Sequence, residues 1–98
     1  MAKRLSWSKT FRKELFRILD YWDHHNRSDQ YSKKLLRKIL TDLDLIASNE
    51  LVGKETSRKN VRAIVIDNFL VFYRTSEEEV IILTIFDGRR NPDDLKLK

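Results

Sequence analysis

Arginine is the residue type in this chain best suited to act on an anion. Arg62, Arg89 and Arg90 are the candidates, because a guanidinium fork matches the oxygens of phosphate or of an acidic surface bidentately. Each has a plainer use. Arg62 can pair with Asp87 on a neighbouring strand, and Arg89 and Arg90 can pair with Asp93 and Asp94 in a solvated tail. Tyr73 offers a phenolic proton or simply fills a sheet. His24 and His25 are adjacent at the end of a helical stretch, where neighbouring side chains point apart, so they make a poor metal pair and read as a surface loop. The chain has no cysteine, hence no disulfide, zinc ribbon or thiol nucleophile. With no further histidine, no metal site and no cofactor are expected. Two glycines and one proline are too few for a glycine-rich phosphate loop.

These residues are carried by 98 amino acids, 41% hydrophobic and 36% charged. That is one domain over residues 1–98, with a single core and a heavily charged surface. The formal charge of +5 points to polyanions or an acidic protein partner, and its distribution is uneven. Residues 1–40 hold 11 basic and 4 acidic side chains, residues 41–57 hold 1 and 4, residues 58–76 hold 4 and 1, residues 77–88 hold 0 and 4, and residues 89–98 hold 4 and 2. No apolar run reaches the roughly 18–20 residues of a membrane span. The start, Met1-Ala2-Lys3-Arg4-Leu5-Ser6-Trp7, lacks the apolar stretch of a signal peptide. A cytoplasmic protein without membrane contact is the expectation.

Residues 3–7 read as a short edge strand. Ser8 is a plausible N-cap for a helix whose stripe is Phe11, Leu15, Ile18, Leu19 and Trp22. Trp22 completes that stripe and Trp7 reads as packing. Ser28 or Asp29 caps a second helix, with Tyr31, Leu35, Leu36, Ile39, Leu40, Leu43 and Ile46 at 3–4 residue spacing. Its cations Lys33, Lys34, Arg37 and Lys38 crowd the first half, the reverse of what the helix dipole prefers. They form either a solvated face or one kept basic for a partner. Asn49 to Asn60 reads as a loop pivoting on Gly53.

The period then changes to that of strands. Val61–Ile66 and Phe69–Arg74 flank Asp67-Asn68, which suits a type I′ turn with both residues at positive φ. A third run, Val80–Phe86, follows the acidic turn 75–79. The order β-α-α-β-β-β predicts an α+β fold, a two-helix hairpin on one face of an antiparallel sheet with an N-terminal edge strand. Pairing Ile66 with Phe69 puts Arg62, Ile64, Ile66, Phe69, Val71 and Tyr73 on one face, and Val61, Ala63, Val65, Leu70, Phe72 and Arg74 on the other. The second set is interrupted only at its end and is expected against the helices. Arg62 beside Tyr73 would then be a polar pair on the open face.

This order of elements, with Asn60-Val61-Arg62, Asn68-Phe69-Leu70-Val71-Phe72-Tyr73 and the closing Ile85-Phe86-Asp87-Gly88-Arg89-Arg90-Asn91-Pro92, resembles toxins of the RelE/ParE superfamily. These are the toxic halves of bacterial type II toxin–antitoxin modules. The resemblance implies growth arrest, neutralised by a cognate antitoxin. ParE-like members inhibit DNA gyrase, and RelE-like members cut mRNA on the ribosome. Many RelE-like members carry an arginine directly after the first aromatic position of the third strand, where Leu70 stands here. They often have a histidine or tyrosine after the last strand, where this chain has Asp87, Arg89 and Arg90. The Gly-Arg-Arg tail resembles the ParE side, so gyrase inhibition leads. A metal-independent ribonuclease needs an activated 2′-OH and a stabilised phosphorane, and would draw on Arg62, Tyr73, Arg89 and Arg90. A non-toxic basic nucleic-acid-binding module is the third reading. For the antitoxin, an acidic amphipathic segment is expected to meet Arg12, Lys34, Arg37 and Lys38.

Overall fold

The computed structural model describes residues 3–26 and 29–88. In chain order the elements are β1 (Arg4–Trp7), α1 (Lys9–Asn26), α2 (Gln30–Ser48), β2 (Lys54–Glu55), β3 (Val61–Ile66), β4 (Phe69–Thr75) and β5 (Glu79–Asp87). The helices begin where the sequence suggests. The Ser8 hydroxyl accepts the Phe11 N–H at 2.9 Å, capping α1, and donates to the Leu83 carbonyl at 2.7 Å, which ties the helix start to β5. Phe11 and Leu15 are fully buried, with Ile18, Leu19 and Trp22 packed around them.

On α2 the core stripe is Leu35, Ile39, Leu43 and Ile46. Leu36 lies at its flank and Leu40 is 40% exposed. Asp29 occupies the N-cap position of α2 without a side-chain capping bond. Its carboxylate pairs with Lys33 at 3.0 Å instead, which offsets a cation placed at the positive end of the helix dipole. The hairpin is pinned near its turn by the buried Ser32 hydroxyl, which donates to the Asp23 carboxylate.

The strands form one sheet in the order β1-β5-β4-β3-β2. The β3–β4 register is the expected one: Ile66 opposite Phe69, Ile64 opposite Val71, Arg62 opposite Tyr73. Three features differ from the sequence reading. First, the turn is not type I′, since Asp67 has φ of 58° but Asn68 is not at positive φ. Asn68 instead accepts the Gly88 N–H at its carbonyl, 2.8 Å away, and ties the turn to the end of β5. Second, the stretch 49–60 contains β2, which pairs with Arg62 and Ala63. Third, β1 runs parallel to β5, a pairing that needs the long connection the rest of the chain supplies.

The face assignment is reversed. The helices cover Ile64, Ile66, Phe69, Val71 and Tyr73, and the core continues into Val80, Ile82 and Ile85. Continuity of apolar residues misled because Arg62 and Tyr73, the polar members of this face, sit where a loop satisfies them. The 80, 82, 85 spacing on β5 is itself instructive. A register shift sets Phe72 opposite Thr84 but Tyr73 opposite Ile82, so Leu83 is the extra residue of a bulge. The bulge changes the parity of β5 and lets both Ile82 and Ile85 face the core. The outer face is apolar too: Val61 and Phe72 are buried there, while Val65 is 66% exposed.

Candidate functional site

Arg62 and Tyr73 meet on the helix side of the sheet, beside the segment that leads from α2 into β2. The Tyr73 hydroxyl accepts the Gly53 N–H at 2.9 Å and donates to the Glu50 carbonyl at 2.7 Å. Arg62 donates through Nη1 to the Gly53 carbonyl at 2.7 Å and through Nη2 to Glu55 Oε1 at 3.3 Å. Glu50 is held in turn by Lys3 Nζ at 2.9 Å. The two candidate side chains thus fasten the backbone of residues 50–55 to β3 and β4.

Gly53 is required here for space, not for a special φ. A Cβ on it would stand 2.5 Å from Tyr73 Oη and 2.9 Å from the Ala63 carbonyl oxygen. Burial pushes the Tyr73 phenol above its ordinary 10.0, and the Glu50 charge adds to this, against the opposing Gly53 N–H and Arg62. With both its donor and acceptor functions occupied, the buried hydroxyl fastens this segment to the sheet.

Arg62 does not pair with Asp87. Asp87 stands opposite Phe69, at the other end of β4 from Tyr73. The histidines lie in the last turn of α1, away from this latch. His24 Nδ1 is 2.9 Å from the Asp20 carbonyl, and that hydrogen bond, then the Asp20 carboxylate, raises its pKa above 6.5. His25 stacks on Tyr21 with ring centroids 5.5 Å apart. Among the described residues no cluster of three or more His, Cys, Asp or Glu could hold a metal ion. Arg89 and Arg90 lie outside the described residues.

The four cations expected to meet an acidic partner are all exposed. Lys34, Arg37 and Lys38 share one side of the first half of α2. Arg12 stands on the other helix: the Asp23–Ser32 contact marks the turn end of the hairpin, and Arg12, eleven residues before Asp23, lies about 16 Å from that end, whereas Lys34, Arg37 and Lys38 lie about 3–9 Å from it. Between the helices runs an open groove of about 770 Å³ lined by Phe16, Leu19 and Leu36 with the cations Lys13, Arg17 and Lys33 and the aspartates Asp20, Asp23 and Asp29. Phe16, off the expected stripe, is 58% exposed there.

A second cavity, of about 450 Å³, opens at the β2–β3 corner beside Arg62. Its cations Arg58 and Lys59 were not singled out as site residues from sequence, although the basic block 58–76 was the available signal.

The model of one protein family, the ParE toxin of the type II toxin–antitoxin system parDE, matches residues 5–92. The chain belongs to the ParE toxin family. It is thereby a toxin of the type II toxin–antitoxin class. Solved structures agree in fold. The chromosomal ParDE system of P. aeruginosa aligns with TM-score 0.75 at 19% identity, covering 88% of this chain and 96% of that one. The RelBE2 toxin–antitoxin complex of Mycobacterium tuberculosis aligns with TM-score 0.59 at 16% identity, covering 89% and 99%. The E. coli DinJ–YafQ complex aligns with TM-score 0.57 at 12% identity, covering 89% and 93%. No curated protein matches the sequence. The strand–hairpin–sheet order and the ParE assignment agree with the reading of the residues. No helix among the described residues is long and apolar enough to cross a membrane.

Proposed function

We propose that this ParE-family toxin arrests growth in the cytoplasm by binding DNA gyrase, and that a cognate acidic antitoxin neutralises it. Beyond family membership, one observation carries the choice of binding over catalysis. Tyr73, the described residue a ribonuclease would use to move a proton, is fully buried with its hydroxyl holding Glu50 and Gly53, while Arg62 beside it, in part bound to Gly53 and Glu55, supplies charge and no base. Neither histidine stands beside them to activate a 2′-OH. The working surface toward gyrase is assigned to Arg89 and Arg90, whose forks suit acidic protein surface or phosphate.

The antitoxin reading rests on shape and charge. The inter-helix groove offers Phe16 and Leu36 to apolar side chains. Lys34, Arg37 and Lys38 on α2 and Arg12 on α1 offer charge to carboxylates. An acidic segment that folds on this surface would gain affinity mainly from apolar burial and association rate mainly from charge. The test uses purified toxin in two assays, gyrase supercoiling and translation of a defined message on ribosomes. Supercoiling stops and the message stays intact if the reading holds; a cut message with normal supercoiling refutes it. Replacing both Arg89 and Arg90 by Glu abolishes inhibition while the thermal melt is unchanged; retained inhibition removes the tail from the working surface.

A further inference from the structure

We propose that the β2–β3 corner is a phosphate-binding site, taking either a nucleic-acid phosphodiester or a free phosphate. The proposal stands independently of the gyrase reading. It begins with the basic block 58–76, whose four cations are Arg58, Lys59, Arg62 and Arg74 and whose one acid is Asp67. Folding separates these. Val61 pairs with Arg74 and Arg62 with Tyr73, so Arg58, Lys59 and Arg62 stand at one end of β3, with Arg74 at the same end but on the opposite face of the sheet. Asp67 stands in the turn at the other end, about 16 Å from Arg62 at strand rise. Lys54, opposite Ala63, shares the face of Arg74. Among the described residues, Lys54, Arg58, Lys59 and Arg74 make no ion pair, and the carboxylate at the site is Glu55, bonded to Arg62.

Charge alone would describe any solvated face; here three of the cations line a concavity. The cavity of about 450 Å³ is lined by Arg58, Lys59 and Arg62 together with Ser57, Asn60 and Thr75. Hydroxyl and amide donors between guanidinium forks suit a tetrahedral oxyanion, which presents more acceptor oxygens than a carboxylate. The walls are held in place. Thr56 N–H donates to the Val61 carbonyl at 3.2 Å, Val61 N–H to the Arg58 carbonyl at 3.3 Å, and Thr75 N–H to the Asn60 carbonyl at 2.9 Å. Asn60 sits at φ of 63°, and the Thr56 hydroxyl accepts the Arg58 N–H at 3.1 Å. Arg62 is fixed by Gly53 and Glu55. With a further contact from Nη1 to the Leu51 carbonyl at 3.5 Å, three of its five guanidinium hydrogens are engaged among the described residues and the others remain for a further acceptor. A site whose charges are already positioned loses less on binding than a floppy one.

The test follows backbone amide resonances of the full chain in three titrations: inorganic phosphate, a single-stranded RNA oligonucleotide and a double-stranded DNA oligonucleotide. The amides of residues 57–62 should shift first and saturate. Shifts with inorganic phosphate assign a free phosphate as a sufficient ligand; shifts with the oligonucleotides alone assign the phosphodiester. The double variant Arg58→Gln/Lys59→Gln, which leaves the Arg62 and Tyr73 bonds in place, should keep the wild-type melt and weaken oligonucleotide binding at least tenfold. It should also flatten the dependence of log affinity on log salt by about one to two. The proposal falls if all three ligands leave residues 57–62 unmoved, if the shifts centre on Lys34, Arg37 and Lys38, or if the double variant binds like wild type. It falls equally if an acidic peptide shifts these amides while phosphate and both oligonucleotides do not.

Discussion

Two basic regions of this toxin are built on opposite plans. At the β2–β3 corner the cations surround a hollow, and one of them, Arg62, is anchored by bonds to Gly53 and Glu55. On α2, Lys34, Arg37 and Lys38 stand on a convex helix face with no ion pair among the described residues. The first plan couples charge to the fold: disturbing the corner disturbs residues 50–55, Tyr73 and the sheet edge. The second leaves charge free of the fold, so it can steer a partner without contributing to stability. Equal charge type therefore does not mean equal role, and substitutions should separate the two.

The largest effect is expected from Gly53→Ala. Its new methyl group would need Tyr73 or the β3 backbone to move, and overpacking of this kind costs about 3 kcal/mol. Denaturant unfolding checks it; a loss under half of that would mean the corner yields easily. Tyr73→Phe comes next. It strips partners from the Gly53 N–H and the Glu50 carbonyl, at about 1–2 kcal/mol.

The same residue gives the corner a pH signature. With the phenol raised in the folded state, its contribution is intact below the unfolded value near 10. It is lost as pH climbs from there through the higher folded value, because the unfolded chain releases its proton first. Unfolding curves across that alkaline range should show the extra loss in wild type and not in Tyr73→Phe.

The smallest effect on stability belongs to the helix face. Changing Lys34, Arg37 and Lys38 together to Gln should move stability by about 0.5 kcal/mol or less. Association with an acidic antitoxin should nevertheless slow roughly tenfold at low salt, with dissociation little changed. Stopped-flow kinetics over a salt series measures both rates, and a change confined to dissociation would contradict steering.

Much of this arrangement was legible in the residues. Ser8, the two helical stripes and the Ile66–Phe69 register follow from local chemistry, because caps, periodicity and a two-residue turn are short-range signals. The sheet face was not legible. Both faces of β3 and β4 are apolar, and what decides between them is a loop fastened by Arg62 and Tyr73, a contact across 20 residues between Gly53 and Tyr73. The bulge at Leu83 hid the parity of β5 in the same way, since a period of two cannot place Val80, Ile82 and Ile85 together. The site was half legible. Charge blocks located the basic segments, but only folding shows that Arg58, Lys59 and Arg62 enclose a cavity while Arg12 stands apart from Lys34.

The central claim, inhibition by binding, is tested most directly by titrating purified toxin against a fixed amount of gyrase and measuring supercoiling, with ribosome-bound message assayed in parallel. A binding inhibitor reaches full inhibition only as toxin approaches the amount of gyrase present, and leaves the message whole. Cleavage of message by toxin far below the amount of ribosome, with supercoiling untouched, would contradict the account.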